Sequence, residues 1–121
     1  MIKLLVCGGR DYLDRDKLYT TLDGILARNA PLLLIVGYNP KDQKYQGADQ
    51  LAFEWARDRK VGSWTFPADW GVHGKAAGPI RNKEMRDKGK PTHAVAFPGG
   101  RGTANMVSLL AEVGIKAWEI A

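Results

Sequence analysis

A phosphate-binding pattern stands in the segment Pro98-Gly99-Gly100-Arg101-Gly102-Thr103, which follows an apolar run and precedes an amphipathic one. A strand, a glycine-rich turn and a helix in this order expose backbone N–H groups at the helix N-terminus, where they bind phosphate. Arg101 can add charge-assisted hydrogen bonds, and Thr103 can either cap the helix or bond a phosphate oxygen. The segment therefore predicts a phosphate-binding loop, with a plain turn as the alternative.

A second glycine-rich turn, Gly8-Gly9-Arg10-Asp11-Tyr12, follows the first apolar run. Its glycines permit close approach of a ligand, Arg10 can pair with phosphate, and Tyr12 can stack on a base. The turn lacks the third glycine of the dinucleotide fingerprint, and the phosphate-loop lysine motif is absent from the chain. An ordinary NAD-dependent dehydrogenase or ATPase is therefore disfavoured, and a simple turn is the alternative here.

The segment 67–85 combines an aromatic plane, acids, a histidine, an amide and several cations. Its candidate ligand-binding residues are Asp69, Trp70, His73, Lys75, Arg81 and Asn82. Asp69 can accept hydrogen bonds from ribose hydroxyls or from a base, Trp70 can stack, and the cations can meet phosphate. The alternative is a long loop that carries only surface charge.

Carboxyl groups suited to catalysis are few in this sequence. Gly47 and Asp49 open a predicted helix, where Asp49 either joins the site or complements the helix dipole. Asp69 and Glu84 are the acids expected beside the site, and with Arg81 they are the candidate catalytic residues if the protein is an enzyme. No paired carboxylates, metal-ligand cluster or Ser/His/Asp set has diagnostic spacing. We therefore expect neither a metal nor a cofactor, and the case for an enzyme is weakened.

Composition is typical of one small globular domain. The chain has 121 residues, of which 45% are hydrophobic and 26% are charged, and we expect residues 1–121 to fold as a single domain. No apolar run approaches the roughly 18 residues that cross a bilayer. The first apolar run has no small-residue cleavage site after it, which favours a strand over a signal peptide. Together with the single Cys7, this predicts a cytoplasmic protein.

Positive charge is concentrated in one segment. The net charge is +5, and residues 71–90 hold six Lys or Arg against two acids. Such a concentration attracts phosphate, either on a small ligand or on a nucleic acid backbone. A solvated basic face is the alternative.

Short apolar runs alternate with amphipathic segments, as in repeated strand–helix units around a mainly parallel sheet. The expected strands are 2–7, 32–36, 62–66, 93–97 and 116–120, and the expected helices are 14–28, 48–59, 79–89 and 103–113. Right-handed crossovers give the strand order 3-2-1-4-5, a three-layer, Rossmann-like α/β fold with two helices on each face. All the loops named above then lie at the edge where such sheets bind ligands. Cys7, Trp64 and Trp118 are expected in the core.

The same segments resemble the YspA-type family of the SLOG superfamily, a Rossmann-like group that includes the LOG (lysine decarboxylase-like) proteins and the DprA domain. The resembling stretches are Cys7-Gly8-Gly9-Arg10-Asp11, Gly47-Ala48-Asp49 with Leu51-Ala52, Pro67-Ala68-Asp69-Trp70, GKAAGPIRNKEM at 74–85, and Ala96-Phe97-Pro98-Gly99-Gly100-Arg101-Gly102-Thr103. They cover essentially the whole chain. The resemblance implies binding or processing of nucleotides and their derivatives, ADP-ribose-like molecules among them.

Two features depart from these relatives. Segment 37–46 is longer and more polar than the family's compact glycine-rich turn, and with Tyr38 and Tyr45 it is expected to reach over the ligand. LOG phosphoribohydrolases, which cleave the base from a nucleoside monophosphate, have a catalytic glutamate shortly after a similar Pro-Gly-Gly-x-Gly-Thr. Residues 104–106 are Ala-Asn-Met, so this glutamate is missing, whereas Arg81 stands where a LOG-like arginine would.

Three functions are open at this point. The first is a module that senses or sequesters a phosphate-bearing nucleotide or nucleotide derivative, ADP-ribose-like in kind. The second is an N-glycosidic or phosphoribosyl hydrolase that uses Asp69 or Glu84. The third is single-stranded nucleic acid binding, which ranks last because the glycine loops suit a compact phosphate better than an extended backbone. A homo-oligomer is compatible with the exposed helix faces of such sheets.

Overall fold

A five-stranded parallel sheet organises the chain. The computed structural model describes residues 1–42 and 46–121. The strands are β1 (Ile2–Cys7), β2 (Leu32–Val36), β3 (Gly62–Thr65), β4 (His93–Ala96) and β5 (Trp118–Glu119). Their order is β3-β2-β1-β4-β5, and each neighbouring pair is parallel. The predicted strand order is therefore confirmed.

Helices cover both faces of this sheet. The longer helices are α1 (Arg15–Asn29), α2 (Ala48–Asp58), α4 (Ala77–Asp87) and α5 (Arg101–Glu112), and a short helix, α3 (Trp70–His73), is followed by a 3-10 turn at Gly74–Ala76. Helix α1 packs beside α2, and α4 packs beside α5. This arrangement confirms the Rossmann-like α/β prediction. None of the helices in the described part of the chain has the length and apolar composition needed to cross a bilayer.

The central strand shows why both faces must be covered. Leu4 and Val6 belong to the core cluster that contains side chains of α1 and α2, whereas Leu5 and Cys7 belong to the cluster that contains side chains of α4 and α5. Alternate side chains of a strand lie on opposite faces, so a strand that is apolar from Leu4 to Cys7 needs a layer on each side. The prediction that Cys7 is buried is confirmed.

The two tryptophans predicted in the core are exposed instead. Trp64 on β3 is 42% exposed and Trp118 on β5 is 57% exposed, so this prediction is wrong. Both residues lie on edge strands, which have no strand on one side. The helices leave these two side chains open to solvent, and Trp64 gains partial cover from the Phe66 ring, 4.9 Å away between centroids.

The segment 67–78 was predicted as a loop, but it contains α3 and the 3-10 turn. The Asp69 carboxylate accepts a hydrogen bond of 3.1 Å from the Val72 backbone N–H and thereby caps α3. An N-terminal carboxylate of this kind stabilises even a single helical turn. Helix α4 consequently begins at Ala77, slightly before the predicted start at Pro79.

Candidate functional site

A cleft of about 560 Å³ opens at the carboxyl ends of the central strands, where the loops after β1 and β4 meet. Its volume lies within the range of about 300–1,000 Å³ that is common for small-molecule sites. The sequence-predicted residues that line it are Gly8, Gly9, Arg10, Asp49, Trp70, Lys75, Arg81, Asn82, Gly100, Arg101, Gly102 and Thr103. Since β1 and β4 flank the point where the strand order reverses, the cleft occupies the usual ligand position of this fold.

Other sequence-predicted residues do not line the cleft, namely Asp11, Gly47, Asp69, His73, Glu84, Pro98 and Gly99. Asp69 caps α3, and Glu84 lies on the exposed face of α4, with its carboxylate 3.8 Å from the Lys88 ammonium. The two acids expected beside the site are therefore placed elsewhere. Tyr12 also lies outside the cleft, because its ring packs against Phe97 at 5.4 Å between centroids. Tyr45 lies outside the described residues.

Backbone contacts join the loops that surround the cleft. The Gly9 N–H donates to the Pro98 carbonyl at 2.9 Å, and the Ala48 N–H donates to the Gly9 carbonyl at 3.0 Å. A Cβ atom at Gly99 would come within 2.7 Å of the Gly9 nitrogen, and Gly47 has a φ of +79°, which disfavours other residues. Pro98, Gly99 and Gly47 thus hold the walls of the site together without lining it.

The N-terminus of α5 forms one wall. Its N-cap is Gly100, and no side chain caps the helix. Thr103 lies inside the first turn and does not cap the helix, so the first of its two predicted roles is wrong. Thr103 does line the cleft, and its bond to a phosphate oxygen stays a prediction. The first backbone N–H groups of a helix have no intrahelical partner and carry a partial positive charge. This wall is therefore suited to bind an anion.

Four cationic side chains line the same cleft: Arg10, Lys75, Arg81 and Arg101. The Arg10 guanidinium lies 4.8 Å from the ring centroid of Trp70, which is 39% exposed. This cation–π contact holds the Trp70 ring beside Arg10 in the lining of the cleft. The lining thus combines a partly exposed aromatic ring with positive charge.

Arg81 is fixed by the loops that it touches. Its Nη1 donates to the carbonyl oxygen of Gly37 at 2.9 Å and to that of Phe66 at 3.5 Å, and its Nε donates to Asn82 Oδ1 at 3.1 Å. Its Nη2 makes no hydrogen bond to the described residues. A guanidinium held in this way can use the remaining nitrogen for an anionic ligand.

Asn82 links the two helices that form the far wall. It is 6% exposed, and its Nδ2 donates to the Gly102 carbonyl at 3.3 Å and to Asn105 Oδ1 at 3.0 Å. These bonds attach α4 to the first turn of α5 and so fix the orientation of its N–H groups. Asn82 therefore acts on the anion wall through Gly102 as well as lining the cleft itself.

Asp49 is the acid that lines the cleft. Its side chain is partly buried and makes no hydrogen bond to any residue in the described ranges. Burial raises the pKa of this carboxyl to about 7, and the positive charges of Arg81 and Arg10 oppose that rise. The pKa of the Cys7 thiol, at the floor of the cleft, is raised to about 12, first by burial and then by the charge of Asp49. Cys7 is therefore a neutral thiol at physiological pH, and Asp49 titrates near neutrality.

Several lining residues were not predicted from the sequence: Cys7, Gly37, Gly78, Pro79, Met85, Asn105 and Met106. For Asn105 and Met85, the signal is helical spacing. Asn105 lies one turn after Gly102 on α5, and Met85 lies one turn after Asn82 on α4. Both would have been found if the residues one helical turn after each predicted site residue, on the same face of the helix, had been included.

The basic segment 71–90 does not form one uniform face. Lys75 and Arg81 line the cleft, but the Arg86 guanidinium pairs with Asp87 at 2.7 Å and with Glu112 at 3.0 Å. The positive charge is therefore divided between the cleft and the ion pairs on the outer side of α4. This division favours a compact anion over an extended polyanion.

No group of three or more His, Cys, Asp or Glu side chains within residues 1–42 and 46–121 is placed to hold a metal ion.

Comparison with known proteins gives two matches. Residues 2–73, more than half of the chain, match the YspA, cpYpsA-related SLOG family. The Gene 61 protein of Mycobacterium phage D29 is 34% identical over 122 residues, which cover 95% of this chain and 93% of the phage protein. The first match spans the β1 loop, Asp49 and Trp70, and the second extends over the α4 and α5 walls as well.

Proposed function

We propose that this chain, which belongs to the YspA, cpYpsA-related SLOG family, binds a phosphate-bearing nucleotide or nucleotide derivative and acts as a sensing or sequestering module. The observation that carries the proposal is the convergence of four cations and an uncapped helix N-terminus on one cleft of nucleotide size. Anions bind at such helix ends, and arginine forms two parallel hydrogen bonds with phosphate.

The cleft suggests an orientation for such a ligand. A phosphate at the first turn of α5 would receive backbone N–H donors and the Arg101 and Lys75 charges. A base would stack on the exposed part of the Trp70 ring, beside Arg10. Aromatic stacking contributes about 1–3 kcal/mol per base, so this contact suits a nucleotide better than a simple phosphate.

The proposal is tested by thermal shift and calorimetry with AMP, NAD, ADP-ribose and cyclic ADP-ribose, followed by chromatography of the recovered ligand. At a ligand concentration of about 100 times Kd, binding to the folded state alone stabilises it by about 2.7 kcal/mol. Arg101→Gln should weaken binding about tenfold or more, because it removes a charge-assisted bond. Arg28→Gln, which removes an exposed charge at the far end of α1, is the matched control and should leave binding unchanged.

Recovery of the ligand intact would support sensing or sequestration. Absence of binding by every nucleotide would reject the proposal. Affinity for single-stranded nucleic acid that falls steeply with salt, without nucleotide binding, would favour the nucleic acid alternative.

A second candidate function is an N-glycosidic or phosphoribosyl hydrolase, and the position of Asp49 favours it. A carboxyl that lines the cleft with a pKa of about 7 is well matched to general acid–base catalysis at neutral pH. Release of free base, followed by chromatography, tests this function. Loss of release in Asp49→Asn but not in Glu84→Gln would assign the chemistry to the cleft, whereas the reverse result would assign it to Glu84.

A further inference from the structure

One acidic side chain, that of Asp49, lines the cleft among its cations. The Asp49 carboxyl makes no hydrogen bond within the described part of the chain, although it is partly buried and lies among arginines. The Asp69 carboxylate, in contrast, already accepts the Val72 N–H. Because no described residue uses the oxygens of the Asp49 carboxyl, they are free to accept hydrogen bonds from a ligand in the cleft.

We propose that Asp49 recognises sugar hydroxyls, accepting hydrogen bonds from the vicinal 2′- and 3′-hydroxyls of a ribose, and thereby selects ribose-bearing ligands over bare phosphate and over deoxy sugars. This inference rests on the proposed function, since the ribose belongs to the nucleotide that the cleft holds. It assigns to Asp49 a role in specificity, distinct from the anion binding of the surrounding cations.

The physical reason for this selectivity is the presence of one negative charge among the positive charges of the cleft. A cleft lined only by cations would bind any small anion, whereas an added carboxylate repels an anion that offers no hydrogen-bond donor. A carboxylate has two acceptor oxygens and no donor, so the two adjacent hydroxyls of a ribose complement it. A site built around such a bond rejects analogues that lack the hydroxyl, because its own polar group is then left unpaired.

The preference for a ribose over a deoxy sugar should depend on pH. Burial raises the pKa of the Asp49 carboxyl, and the charges of Arg81 on α4 and Arg10 in the loop after β1 oppose that rise. Lys75 and Arg101 line the same cleft, and Cys7 on β1 carries a neutral thiol there. With a pKa of about 7, the Asp49 carboxyl changes charge near neutrality. As pH rises, the carboxylate fraction increases and its bonds to hydroxyls strengthen.

The test compares AMP with 2′,3′-dideoxy-AMP by calorimetry. The two nucleotides share base and phosphate, so ionisation of the phosphate cancels in their affinity ratio. At about pH 8.5 AMP should bind about tenfold more tightly than its dideoxy analogue, and at about pH 5.5 the ratio should fall to about threefold, because hydrogen bonds to a neutral carboxyl are weaker. Asp49→Asn should give the lower ratio at both pH values, whereas the exposed control Asp16→Asn should retain the wild-type pattern.

Equal binding of AMP and dideoxy-AMP at both pH values would overturn this inference and leave the proposed function standing. Binding of neither nucleotide would overturn both. The wild-type comparison needs no variant, so the inference is testable even if Asp49→Asn does not fold.

Discussion

Replacing Asp49 by Asn should stabilise the unliganded protein above neutral pH. Burial raises the pKa of this carboxyl from 3.8 to about 7. Between these values the folded chain holds a proton that the unfolded chain has released, so the free energy of unfolding falls as pH rises, by up to about 1.4 kcal/mol per pH unit. Asparagine does not titrate. The free energy of unfolding of the variant should therefore equal that of the wild type near pH 4. Above about pH 7 it should exceed the wild-type value by the full difference.

The interval between the two pKa values sets an upper limit of about 4 kcal/mol for this stabilisation. Asp49 is partly exposed to a cleft that opens to solvent, which screens its charge. We therefore expect a gain of about 2 kcal/mol in the free energy of unfolding, or about 8 °C in Tm, at about pH 8. A ligand-binding group that costs stability in this way is common at functional sites.

The assay is urea unfolding followed by circular dichroism at about pH 5 and pH 8. Asp16→Asn is the matched control, because Asp16 and Asp49 are both the second residue of their helices but Asp16 is exposed. Loss of the favourable interaction with the helix dipole should cost Asp16→Asn about 0.5 kcal/mol. A similar decrease in the free energy of unfolding of Asp49→Asn at pH 8 would refute the reasoning. Asp49 would then only complement the helix dipole, as Asp16 does.

Three further variants test the architecture of the site. Asn82→Ala should lower the free energy of unfolding by about 2 kcal/mol, because it removes the hydrogen bonds that this buried side chain makes to Arg81, Gly102 and Asn105. Urea unfolding measures this, and a change below about 0.5 kcal/mol would contradict it. Trp70→Ala should weaken AMP binding about tenfold but leave ribose 5-phosphate binding unchanged in calorimetry, since only the base stacks; equal losses would contradict the stacking role. Arg81→Gln should raise the pKa of the Asp49 carboxyl further, because it removes an opposing positive charge, and an unchanged or lower midpoint in an NMR titration would contradict this assignment.

The fold could be predicted because the apolar runs are short, continuous and separated by amphipathic segments. In the run 2–7, the four consecutive residues from Leu4 to Cys7 are all buried, as a strand covered on both faces requires. The prediction that Trp64 and Trp118 lie in the core was wrong, because their burial depends on the position of their strands within the sheet. Residue type predicts a preference for the core, but it does not reveal which strands lie at the edges.

The prediction found the site residues that lie on loops, but it missed several site residues that lie on helices. Gly100 and Arg10 follow strands directly, so the topology brings them together at one edge. Asn105 enters the cleft from the second turn of a helix, and its role depends on the side-chain contact with Asn82. Asp69 was assigned to the ligand on its type alone, yet its carboxylate caps α3. A carboxylate in a glycine-rich segment can serve either purpose, and local sequence does not distinguish them.

The most direct test of nucleotide binding in the cleft is an amide NMR titration with AMP. We predict that the largest shifts will occur at the backbone N–H groups of Arg101, Gly102 and Thr103 and at the Trp70 indole. Shifts confined to a second groove of about 310 Å³, which is lined by Ile2, Trp118 and neighbouring residues at the opposite end of the strands, would contradict the account. An unchanged spectrum would contradict it as well.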